Sequence, residues 1–103
     1  MLMITAETIP GKNIQMLGTV KGSVVQAKHI GRDIMAGLKT IVGGELKGYT
    51  ELLNEARIIA TDRMFIEASA LGADAIVCLR YSSASVMDGS CEIMAYGTAV
   101  KFV

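Results

Sequence analysis

Asp88-Gly89 splits the last third of the chain into two apolar, β-rich runs, Ala75 to Met87 and Cys91 to Val103, and no other feature constrains the fold as much. Asp-Gly supplies the positive φ angles that a two-residue type I′ turn requires, so the two runs are expected to pair as an antiparallel hairpin. Such a turn also sets the register. Met87 then faces Ser90, and pairing proceeds outward one residue at a time. One face carries Ala75, Val77, Leu79 and Tyr81 against Phe102, Val100, Thr98 and Tyr96, which reads as the core face. The other carries Ile76, Cys78, Arg80, Ser82, Ala84 and Val86 against Lys101, Ala99, Gly97, Ala95, Ile93 and Cys91. This second face is too apolar for open solvent and too small to hold a helix well. Strands of a neighbouring subunit are expected to cover it.

Upstream, Met1 to Ala6 reads as a short strand closed by the turn Ile9-Pro10-Gly11-Lys12-Asn13. Ile14 to His29 reads as a long strand, with Ile14, Met16, Val20 and Val24 on one face at period two. Gly18 and Gly22 interrupt that face, which points to a bulge or a close backbone approach, and to a bend. At Gly31 the period becomes helical. Ile34, Met35, Leu38, Ile41 and Val42 give a short helix over Arg32 to Val42, with Asp33 in the dipole-favoured first turn and Gly43-Gly44 as its stop. A second helix starts near Gly48 or Tyr49 and runs about 35 Å at 1.5 Å per residue to Leu71, with Gly72 as its C′ residue. Its apolar stripe is Leu52, Leu53, Ala56, Ile59, Ala60, Met64 and Leu71. Arg63 and Glu67 fall inside that stripe at i, i+4 spacing and are expected to be partly buried partners of each other. Ile58 and Phe65 stand on the opposite side, where a neighbouring element is expected to meet them.

With 103 residues, the chain is one domain, 1–103. Ten basic and ten acidic side chains balance, which excludes the basic excess a nucleic-acid protein needs. Hydrophobic residues are 51% and charged residues 19%, so intrinsic disorder is excluded too. A compact monomer of this mass exposes roughly 5,600 Å². With half the residues apolar, much of that surface would be greasy, so a homo-oligomer is expected. The first residues lack a basic n-region and meet Glu7 early, and no apolar run approaches the ~20 residues of a membrane span. A cytoplasmic location follows as an expectation, with Cys78 and Cys91 as free thiols.

Arg32-Asp33-Ile34, Ile41-Val42-Gly43-Gly44, Tyr49, Glu55-Ala56-Arg57, Ala68, Leu71-Gly72-Ala73-Asp74-Ala75-Ile76-Val77 and Gly97-Thr98-Ala99-Val100 occur in this order and spacing. Together they resemble the YbjQ family, small bacterial and archaeal proteins of unknown function that are often labelled as heavy-metal-binding. The match covers almost the whole chain. The resemblance implies an α+β fold of β-β-α-α-β-β order. An antiparallel sheet with the long helix packed on one face is expected from the pattern, and the resemblance adds assembly into a ring, most simply a pentamer. It implies no established activity.

Chemistry is harder to find. The soft ligands are His29, Cys78 and Cys91, without the C-x-x-C or H-x₃-H spacing of a zinc site. In the hairpin register Cys78 faces Ala99, about eight positions from Cys91, which sets the thiols on the order of 26 Å apart. They share no ion and form no internal disulfide, so no metal site is assigned within one chain. No histidine stands beside a thiol or hydroxyl to activate it, and Ser82, Ser83, Ser85 and Ser90 read as a polar tip. The chain is therefore not expected to be an enzyme, and no cofactor is indicated. Gly31-Arg32-Asp33, where a strand meets a helix N-terminus, is the one place suited to a small anionic ligand, with Arg32 and Asp33 as candidate binding residues. The expected function is a homo-oligomeric binding module for a small ligand or metal ion, with a structural scaffold as the alternative.

Overall fold

The computed structural model describes residues 1–27, 47–87 and 90–103. Their element order is β1 (Leu2–Met3), β2 (Ile14–Ala27), α1 (Lys47–Ala70), β3 (Ala75–Met87) and β4 (Ser90–Phe102). The expected first helix, Arg32 to Val42, and the turn Asp88-Gly89 lie outside the described residues. The four strands form one sheet in the order β1-β3-β4-β2. β4 pairs antiparallel with β2 and β3 along its length, while β1 pairs parallel with β3 through Leu2↔Ala75 and Met3↔Ile76. The sheet is thus mixed, not antiparallel throughout as expected. The turn read at Ile9-Pro10-Gly11-Lys12-Asn13 is present, with Lys12 N donating to Ile9 O at 3.1 Å and Gly11 at φ 76°, and it lies in a crossing segment, residues 4–13, that carries the chain from one edge of the sheet to the other. Ile4 and Ile9 from that segment pack with Ala75, Val77, Val100, Ile14 and Phe102 on one face of the sheet.

The long helix covers the other face, and this corrects the expected assignment of faces. Ile76, Ile93, Ala95 and Ala99 pack with Val20 and Val24 of β2 against Ala56, Ala60, Met64 and Ala68 of α1. The small face holds the helix because the helix stripe is itself largely alanine and because Gly22 lets the backbones of β2 and α1 meet, while Gly97 makes room within the sheet for β3. A methyl group at Gly22 would overlap the Ala60 carbonyl oxygen and the Met64 nitrogen, with the Arg63 carbonyl carbon 2.8 Å away. At Gly97 it would lie 2.8 Å from Ile76 Cγ2 and 3.0 Å from the Val77 oxygen. No neighbouring subunit is needed to fill that face.

Two register shifts separate the expected hairpin from the observed one, and a third lies in β2. Met87 opposes Ser90 as the turn demands, but Val86 is extra and the next pair is Ser85↔Cys91. Between Val77↔Thr98 and Arg80↔Tyr96, the two residues Cys78 and Leu79 stand against Gly97 alone. Cys78 takes φ 56° there, a left-handed conformation rare outside glycine. This bulge turns Leu79 and Tyr81 onto the helix face, away from Ala75 and Val77. In β2 a matching shift between Met16 and Gly18 moves Val20 and Val24 to the helix face while Ile14 stays on the other. Gly18, at φ 144°, is the bulge its position foretold, and Gly22 is the close approach.

α1 ends where expected. Gly72, at φ 76°, donates to Ser69 O at 3.0 Å, and Ala73 N donates to Ala68 O at 3.1 Å, a Schellman cap. Lys101 Nζ adds a bond to Gly72 O at 3.2 Å. The molecule is elongated, 53 × 26 × 17 Å, and exposes 6648 Å², more than a compact monomer of its mass would. Among the described residues no helix is long and apolar enough to cross a membrane.

Candidate functional site

The anion site read at Gly31-Arg32-Asp33 falls outside the described residues, as does His29, so the site is built from what the remaining elements bring together. Two concavities flank the upper half of β3, both made by side chains that the bulge at Cys78 rotates toward the helix.

The larger is a groove of about 430 Å³ between the outer side of α1 and the start of the free part of β3. Its walls are Met3 of β1, Ile58 and Phe65 of α1 and the ring of Tyr81. Ile58 is 70% exposed and Phe65 36%, so the face opposite the main stripe is apolar and open, as the helical spacing indicated. Polar groups stand in fixed order at its floor. Thr61 Oγ1 donates to Arg57 O at 2.7 Å, which uses its only proton, so in the 2.8 Å contact with Tyr81 the phenol is the donor. Tyr81 is thereby held across the groove with its acceptor lone pairs unused by this relay. Arg57 is steadied by Asn54 Oδ1 at 2.9 Å, and Asp62 completes the rim.

The smaller concavity, about 310 Å³, lies at the hairpin end beside the first turns of α1. Tyr49, Leu52 and Leu53 face Ser83, Ser85, Ser90 and Cys91 across it, and among the described residues no charged side chain lines it. Ser90 is buried and donates to Met87 O at 3.3 Å. The serines read as a solvated tip are therefore partly built into a wall. Tyr81, Thr61 and Tyr49 were not singled out as site residues by their sequence pattern; only the bulge, which has no glycine to announce it, brings Tyr81 to the helix.

Metal chemistry finds no donor set here. Cys91 sits opposite Ser85 at the hairpin end, and Cys78 sits in the bulge beside Gly97. Among the described residues no three His, Cys, Asp or Glu side chains come together as a metal would need.

Residues 1–103 match the model of a family described as "YbjQ_1: Putative heavy-metal-binding". A UPF0145 protein of Psychromonas ingrahamii is 62% identical over 102 residues, covering 98% of this chain and 97% of the relative. One from Thermotoga maritima is 57% identical over 102 residues, with 98% and 96% covered. A solved structure from Pediococcus pentosaceus, a protein of unknown function in the DUF74 family, superimposes with a TM-score of 0.68 at 17% identity, covering 100% of this chain and 98% of that one. This last likeness supports the fold.

Proposed function

The chain belongs to the YbjQ family, and from that premise we propose that it is a homo-oligomeric binding module for a small, mostly apolar ligand, without chemistry of its own. One observation carries the reading: the groove at Tyr81 lies at the foot of an unguarded strand edge. β1 covers β3 only at Ala75 and Ile76, and the crossing segment adds bonds from Cys78 N to Ala6 O and from Leu79 N to Ile4 O, both 3.0 Å. From Tyr81 to Met87 the outer edge of β3 has no strand partner among the described residues, and those seven positions hold no charge. Long uncharged edges invite pairing with another chain. A second copy seated there would close the open side of the groove and make it a junction site. A mouth walled by Met3, Ile58, Phe65 and Tyr81, with the Arg57 guanidinium and the Asp62 carboxylate at its rim and a Tyr81 oxygen left to accept, suits an apolar ligand that offers an acid group to Arg57 and a hydrogen-bond donor to Tyr81.

Untagged protein should run in light scattering as one species of several times 10.9 kDa. Methyl resonances of Met3 and Ile58 should shift when small aromatic acids are titrated in. A folded monomer at micromolar concentration overturns the assembly, and unmoved methyls overturn the ligand site. An assembly that takes up nothing supports the scaffold reading instead.

A further inference from the structure

The second edge of the sheet, along β2, is treated differently, and the difference lies in two charged side chains expected to pair with each other. Arg63 Nη1 instead donates to Ser23 O at 2.6 Å, and Glu67 Oε1 accepts from Lys21 N at 3.3 Å. Lys21 pairs with Tyr96 and Ser23 with Met94 across β4, but the Lys21 amide and the Ser23 carbonyl point the other way, off an edge that has no strand partner among the described residues. They are the groups that a further strand would use. Val20, Gly22 and Val24, between and beside them, face the helix and are buried. The helix backbone rests on Gly22, so Arg63 and Glu67, one turn apart, straddle β2 and reach around it.

We propose that Arg63 and Glu67 form an edge lock: they occupy the outward amide of Lys21 and the outward carbonyl of Ser23 and so keep β2 from accepting a strand of a second copy. The lock needs three parts. Gly22 sets the helix close enough, a guanidinium supplies donors for the carbonyl, and a carboxylate supplies the acceptor for the amide. An i, i+4 pair of opposite sign satisfies an edge without presenting a donor or acceptor row of its own. The arrangement accounts for why two charges lie inside an apolar stripe: their stems run along the helix face and their heads reach polar backbone. The inference does not rest on the proposed ring, because it concerns the edge that stays closed.

The test is sedimentation velocity over a hundredfold concentration range, on wild type and two double variants. Arg63→Ala with Glu67→Ala removes both caps. It is expected to add species of at least twice the native mass that grow with concentration. Hydrogen exchange at the Lys21 amide is expected to quicken at least tenfold at the lowest concentration. Arg63→Lys with Glu67→Gln retains a donor and an acceptor and is expected to sediment as wild type does. Native mass and unchanged Lys21 exchange in the alanine variant overturn the lock. Equal self-association in both double variants also overturns it, since lost charge alone would then be the cause. Should the alanine pair lose its helical circular dichroism, Glu67→Ala alone is measured by the same exchange readout, where an unchanged Lys21 rate overturns the proposal.

Discussion

At Gly22 the absence of one methyl group decides how near α1 comes to the sheet. Its would-be Cβ meets the backbone of Ala60, Arg63 and Met64, which has no flexible end to move aside. Gly22→Ala is therefore expected to cost about 2 kcal/mol or more, in the range of overpacked cores, read as a lower urea midpoint at unchanged slope. Cys78 poses the opposite case. It holds φ 56° in a bulge, a conformation that costs a side-chain-bearing residue about 1 kcal/mol or more relative to glycine. Cys78→Gly is expected to leave stability unchanged or raise it by up to about 1 kcal/mol, whereas Cys78→Val is expected to lower it by more than that. Urea unfolding of the two variants side by side checks the sign. The sequence marks Gly22 plainly, as a glycine inside a strand; nothing in Cys78 marks the bulge.

At the scale of elements, helix ends were the most legible features and strand registers the least. Gly72 follows the last helical turn as a C′ glycine should, and Gly72→Ala is expected to cost about 1 kcal/mol through its positive φ, visible as a lower melting temperature. Leu52, Ala56, Ala60 and Met64 of the stripe are buried as its spacing demanded, whereas Leu71, past the helix end at Ala70, is exposed. The hairpin pairing was right at Met87↔Ser90 and wrong inward of Val86, because each extra residue reverses every side chain beyond it. One unsignalled residue at Cys78 was enough to move Leu79 and Tyr81 to the other face. The groove followed from that reversal, which is why Ile58 and Phe65 were legible as an exposed pair while their partner Tyr81 was assigned to the core. Arg63 and Glu67, expected to be partly buried partners inside the stripe, are exposed at its flank, because side-chain spacing within a helix says nothing about the backbone of another element, and that is where both charges went.

For the whole molecule, two unlike edges and one elongated sheet define what it presents to its surroundings. If β3 is the assembling edge, Ser82→Lys with Ala84→Lys is expected to disperse the native species to 10.9 kDa monomers in light scattering while keeping their helical circular dichroism, since charge along an edge blocks strand addition. A different consequence follows from the pairing of β1. Leu2 lies beside Ala75, so the N-terminal strand has no sheet to join until most of the chain exists. Closing so long a loop is entropically expensive and is offset by the two β1–β3 pairs, the backbone bonds of Ile4 and Ala6 to β3 and the packing of Ile4 and Ile9. β1 is translated before its partner β3 and is expected to dock only after β3 and β4 have paired and α1 has settled on them. Substitutions at Leu2 and Met3 are then expected to speed unfolding and leave the refolding rate untouched, the signature of a strand that waits in synthesis for a partner some seventy residues behind it.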